Sequence, residues 1–152
     1  MKKILIALLL LVLICPAAVA EEQPAWILCG KGSIVNIRLN PRKLSAEAGF
    51  LDACDKVVVD GLTKNGYTHI VEPLEGWVHS GYVVYSEPVK SGEKYVVVAK
   101  KRLAARRWID GPRMEKKPWL KNGTTVTVYY WSETWCVTSM GYLQSQWLEV
   151  RP

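Results

Sequence analysis

The chain has 152 residues with 20 Lys or Arg against 14 Asp or Glu. That is too short for a large multidomain enzyme and suits one ordinary domain or two small ones. Its charge is uneven. Residues 21–87 hold six basic and nine acidic residues, whereas residues 88–152 hold twelve and five. An acidic half joined to a basic half points to two units with different partners, or two that attract each other.

The first twenty residues read as a signal peptide. Lys2 and Lys3 precede the apolar run Ile4 to Ile14, Pro16 breaks it, and Ala18-Val19-Ala20 offers small residues for cleavage before Glu21. The run falls short of the roughly 20 apolar residues that span a bilayer. The expectation is therefore a secreted or envelope-associated protein, extracellular or periplasmic, with no integral span after cleavage. Its 132 mature residues carry a net charge near +4.

Beyond the leader, short β-branched and aromatic runs dominate. They are "KVVVDG" (56–61), "YTHIVE" (67–72), "KYVVVAK" (94–100), "TTVTVYYW" (124–131) and "WCVTSM" (135–140). Each is bounded by turn-forming residues, the pattern of a small all-β barrel or sandwich. Asn65-Gly66 predicts a two-residue hairpin, since both central positions need positive φ, and Asn122-Gly123 predicts a tight turn on the same grounds. The segment 40–49 reads as a long loop or a single helical turn.

The chain repeats itself. "GWVHSGYV" (76–83) matches "GYLQSQWL" (141–148), and "FLDACDKVVV" (50–59) matches "WLKNGTTVTV" (119–128). A spacing of 65 to 69 residues suits a complete small domain rather than a solenoid repeat. Two units over 21–87 and 94–152, joined by a linker at 88–93, are expected.

Four elements in this order, twice, resemble the bacterial SH3-like domain family. They are Asn36-Ile37-Arg38, then "GFLDACDKVVV" and "PWLKNGTTVTV", then "YTHIV" and "WCVTS", and the closing pair just quoted. Cys54 stands where the family usually has glycine. The second unit departs at its start, where "RLAARRWIDGP" (102–112) replaces the Asn-x-Arg element. The resemblance implies two tandem small SH3-like β-barrels. It also implies a non-catalytic role, since many such domains hold cell-wall hydrolases on peptidoglycan and others bind proteins.

Candidate chemistry is sparse. Cys29, Cys54 and Cys136 remain after the leader, an odd number that cannot all pair within one molecule. Cys29 and Cys54 are candidates for a bridge, with Cys136 a buried thiol or an intermolecular link. Without a Cys-x-x-Cys, and with only His69 and His79 as further ligands, no metal or other cofactor is expected. A cysteine nucleophile needs an adjacent histidine and a group to orient it. Cys54 and His69 fall on neighbouring strands, but no third member is visible, so no enzyme activity is expected. His79 fills the variable slot that Gln144 takes in the second unit, which predicts an exposed residue.

Seven Trp and seven Tyr stand against one Phe. Such rings give flat apolar faces with polar edges, suited to sugars or peptides. Trp108, Tyr130 and Trp131 lack counterparts in the first unit, and the stretch 100–117 holds eight cations and two acids. Arg106, Arg107, Trp108, Tyr130 and Trp131 are the predicted ligand-binding set. The expected partner is a cell-wall glycan, peptidoglycan or an anionic glycopolymer; an envelope protein is the alternative. Export makes nucleic acid an unsuitable target.

Overall fold

The computed structural model describes residues 21–151, so the expected leader lies outside the described residues. The described chain is all-β, with two 3-10 turns and no α-helix among its elements. The first sheet is built from β1 (Gln23–Ile27), β2 (Val35–Arg38), β3 (Glu47–Leu51), β4 (Lys56–Lys64), β5 (Tyr67–Glu72), β6 (Gly76–His79) and β7 (Val83–Val84). The second contains β9 (Lys94–Val97), β10 (Thr125–Trp131), β11 (Trp135–Thr138), β12 (Gly141–Gln144) and β13 (Leu148–Val150), with β8 (Val89–Lys90) added beside β10.

The strand orders show the repeat directly. The first sheet runs β3-β2-β6-β5-β4-β1-β7, and the second runs β12-β11-β10-β9-β13. Five strands therefore recur in the same order, and the first unit adds the β2–β3 hairpin. Neither path closes into a ring; β3 and β7 end one, β12 and β13 the other.

Alternation along the strands fills two cores. Ala25, Ile27, Ile37, Val57, Val59, Ile70 and Val78 fill the first, and Val97, Val126, Val128, Cys136 and Leu143 the second. A third cluster joins the units: Leu28 and Val84 from one side meet Trp135, Val137 and Tyr142 from the other.

Backbone bonds repeat as closely as the strands. Ile27 O accepts from Cys54 N–H and Val97 O from Gly123 N–H, both at 2.8 Å; Tyr82 O accepts from Leu28 N–H and Trp147 O from Val98 N–H. Cys54 (φ 73°) and Gly123 (φ 81°) occupy the same left-handed corner. That corner explains the glycine expected at position 54, because a side chain is strained there.

The Asn65-Gly66 hairpin forms as expected, with φ of 53° and 77° and Lys64 paired to Tyr67. At Asn122-Gly123 only the glycine has positive φ, so that corner is a different turn. Residues 40–46 form a loop that contains one i→i+3 turn, Ser45 N–H donating to Arg42 O at 3.1 Å. The connection at 88–93 is not a free linker. Lys90 and Val89 pair with Tyr130 and Trp131, and Ser91 N–H donates to Tyr129 O at 2.9 Å.

Candidate functional site

A groove of about 340 Å³ opens on the first unit, lined by residues from β2, the 40–46 loop, β5, β6 and the following turn. On β2, Val35 and Ile37 point into the core, which leaves Asn36 and Arg38 on the opposite face. Asn36 Nδ2 donates to Glu47 Oε1, and the Arg38 guanidinium lies 3.3 Å from the same oxygen. Arg38 also donates to Ser45 O at 2.9 Å, and Asn40 N–H donates to Ser45 Oγ at 2.9 Å. These bonds fix the loop that carries Lys43 to the groove.

Tyr67, His79 and Tyr82 supply the aromatic wall, and Trp108 from the second unit completes it. The His79 ring lies 5.6 Å from Tyr67, 5.5 Å from Tyr82 and 5.1 Å from Trp108. Its Nδ1 accepts from Gly81 N–H at 3.2 Å. Burial holds the imidazole below its ordinary pKa, which keeps it neutral at pH 7. The exposed His79 expected from the repeat is therefore corrected: it is half-buried, as is its counterpart Gln144, and Trp108 packs against its ring. Gly81 makes this packing possible. A Cβ there would lie 2.2 Å from Trp108 Cδ1, and Ile109 N–H donates to Gly81 O at 3.0 Å.

The predicted binding set is divided. Trp108 lines the groove, while Arg107 is exposed and Arg106 is half-buried. Arg106 takes the place of Arg38: it pairs with Tyr142 as Arg38 pairs with Trp77, and donates to Gly111 O at 2.7 Å as Arg38 donates to Ser45 O. The "missing" element of the second unit is thus Ala104-Ala105-Arg106, with Ala105 buried like Ile37. Tyr130 packs on the cluster between the units. Trp131 stacks on Tyr95 at 5.1 Å and lines a separate depression with Val89 and Lys90.

Sequence reasoning missed Tyr67, His79, Tyr82, Arg38 and Lys43 as groove residues. The available signal was the Asn-x-Arg element, whose outward face is the groove floor.

Among the described residues the three thiols, Cys29, Cys54 and Cys136, are free, so no Cys29–Cys54 bridge is present. Cys29 Sγ instead donates to Ser33 O at 3.1 Å. Burial pushes Cys29 up to about 11 and Cys136 up to about 12, and also raises Cys54. An activated thiolate needs the opposite shift. His69 faces carboxylates through both ring nitrogens, Asp60 at 2.8 Å and Glu75 at 3.8 Å. Its ring lies 4.8 Å from Trp77.

Compared with known proteins, the sequence matches no family model and no curated protein. Among solved structures, it is similar to NlpC2 from Trichomonas vaginalis at 11% identity and TM-score 0.38, covering 87% of this chain and 49% of that one. NlpC1 from the same organism is similar at 12% identity and TM-score 0.38, covering 92% and 50%. The chain spans about half the length of each.

Proposed function

We propose that this chain is a non-catalytic binding protein made of two tandem, partly open SH3-like barrels. In this reading it is exported and recognises a cell-envelope component, peptidoglycan or an anionic wall glycopolymer. The observation that carries the reading is the first groove. Tyr67, Tyr82 and Trp108 line it beside the Lys43 cation, with Arg38 held by Glu47, a combination that suits a sugar ring bearing a carboxylate or phosphate. The raised thiol pKa values and the occupied His69 support a role without nucleophilic catalysis.

Retention on purified cell walls tests this. The protein should sediment with walls, and Lys43→Ala with Tyr82→Ala should reduce retention several-fold while the fold is kept. Failure of the parent to sediment would remove the reading.

A second reading, docking of an envelope or secreted protein, is favoured by a different surface. Leu39 and Leu44 beside the β2–β3 hairpin and Phe50 on the sheet-edge strand β3 are exposed, Leu44 to 92%. Co-purification of one protein through Phe50 and Leu44, with nothing retained on walls, would favour it.

A further inference from the structure

The repeat places a second groove where the first one stands. Leu103 pairs with Leu120 as Val35 pairs with Leu51, so Arg102 falls at the position of Ile34. Trp147 closes the second 3-10 turn as Tyr82 closes the first. Ile34, Val35 and Tyr82 all line the first groove, and their counterparts Arg102, Leu103 and Trp147 line another of about 310 Å³. The backbone frame is shared; the chemistry differs.

In the first groove, Arg38 and Asn36 are already engaged by Glu47. The second is lined by Lys100, Lys101 and Arg102, with Ala99, Leu103 and Trp147 beside them and no acidic residue. Among the described residues none of these three cations is ion-paired. Trp147 is half-buried, and its indole N–H donates to Gln144 Oε1 at 3.0 Å, which fixes the ring. Three unpaired charges around a fixed indole and an apolar floor attract an anion that carries an apolar or ring-shaped body. The concave shape suits a polymer segment laid into it better than a flat bilayer surface.

We infer that the second unit carries its own anion-binding groove, in which Lys100, Lys101 and Arg102 hold the phosphodiester or carboxylate of an acidic glycan against Trp147. This deepens the envelope reading by naming the chemistry of a site separate from the first groove.

Calorimetric titration of the purified protein at low and high salt tests it. The probes are a phosphodiester-linked glycan oligomer, a carboxylate-bearing muramyl glycan fragment and vesicles of anionic phospholipid. One of the two glycans should bind, with the Trp147 indole N–H resonance shifting, and the better one names the anion. Replacing Lys100, Lys101 and Arg102 together with Ala should weaken binding about tenfold at low salt and flatten its salt dependence. Lys64→Ala, at an exposed position outside both grooves, should leave this binding unchanged. Three results would overturn the inference: unaltered binding by the triple variant, binding to vesicles alone, or no binding to any probe. Wall retention with an unaffected triple variant overturns the groove only. Glycan binding through the groove without wall retention overturns the envelope reading only.

Discussion

Tyr142 donates its phenol to the backbone carbonyl of Leu28 over 2.9 Å, linking residues 114 positions apart in the chain. The bond is buried within the cluster that joins the two units, and burial raises the phenol pKa well above its ordinary value. Two units packed in this way should unfold together. Tyr142→Phe leaves a buried carbonyl without its partner and should cost about 1–2 kcal/mol. Urea unfolding of the parent should show one transition by every probe, and trypsin should not release two stable fragments at 88–93. Separate transitions in the parent would refute this coupling.

Cys54 holds a left-handed backbone that its repeat partner fills with glycine. Cys54→Gly should relieve that strain and raise stability by about 0.5–1 kcal/mol. Gly123→Ala should lower it by a similar amount. Denaturant midpoints measure both, and a destabilised Cys54→Gly variant would contradict the strain argument.

Gly81 lies under Trp108 with no room for a methyl group. Gly81→Ala should therefore expel the indole or shift the junction, at about 2 kcal/mol or more. Gln146, the exposed counterpart in the second unit, should tolerate alanine within about 0.5 kcal/mol. Equal effects at the two sites would show that Trp108 is not held there.

His79 makes the junction sensitive to acid. Its folded pKa lies below the ordinary 6.5 because burial disfavours the imidazolium. The unfolded chain then binds more protons than the folded one between those two values, so stability falls as pH drops below 6.5. The loss levels off once the folded pKa has been passed. The groups around the ring, Tyr67, Tyr82 and Trp108, carry no charge to offset this, and Arg38 and Lys43 line the same groove. His79→Gln should remove this part of the slope, which a comparison of melting temperatures at pH 5 and pH 8 would show. Identical pH profiles for parent and variant would count against a buried neutral imidazole.

The strands were legible in the sequence because their alternation and turn residues are local signals. "YTHIVE" matches β5 residue for residue, and Asn65-Gly66 marked its hairpin. The repeated Trp77 and Tyr142 fall on β6 and β12, and Tyr82 and Trp147 each end a 3-10 turn. The groove was harder to read, because it depends on contacts between units. Nothing local in "RRWIDG" says that Trp108 will cover His79, nor that Arg106 will serve as a second Arg38. The unmatched aromatics do not gather on one face: Tyr130 packs into the junction and Trp131 stacks on Tyr95. Arg106 is tied to Gly111 O, whereas Arg107 is exposed like Lys100, Lys101 and Arg102.

The corners that set both grooves are closed by main-chain bonds, Cys54 to Ile27 and Gly123 to Val97, Leu28 to Tyr82 and Val98 to Trp147. Main-chain bonds are largely blind to side-chain identity, since every residue except proline brings the same donor and acceptor. The segments that follow the first strand of each unit, 29–35 and 99–103, are therefore anchored at matching corners by bonds that do not depend on the side chains between them. On that shared frame Ile34 and Val35 line one groove, and Arg102 and Leu103 the other.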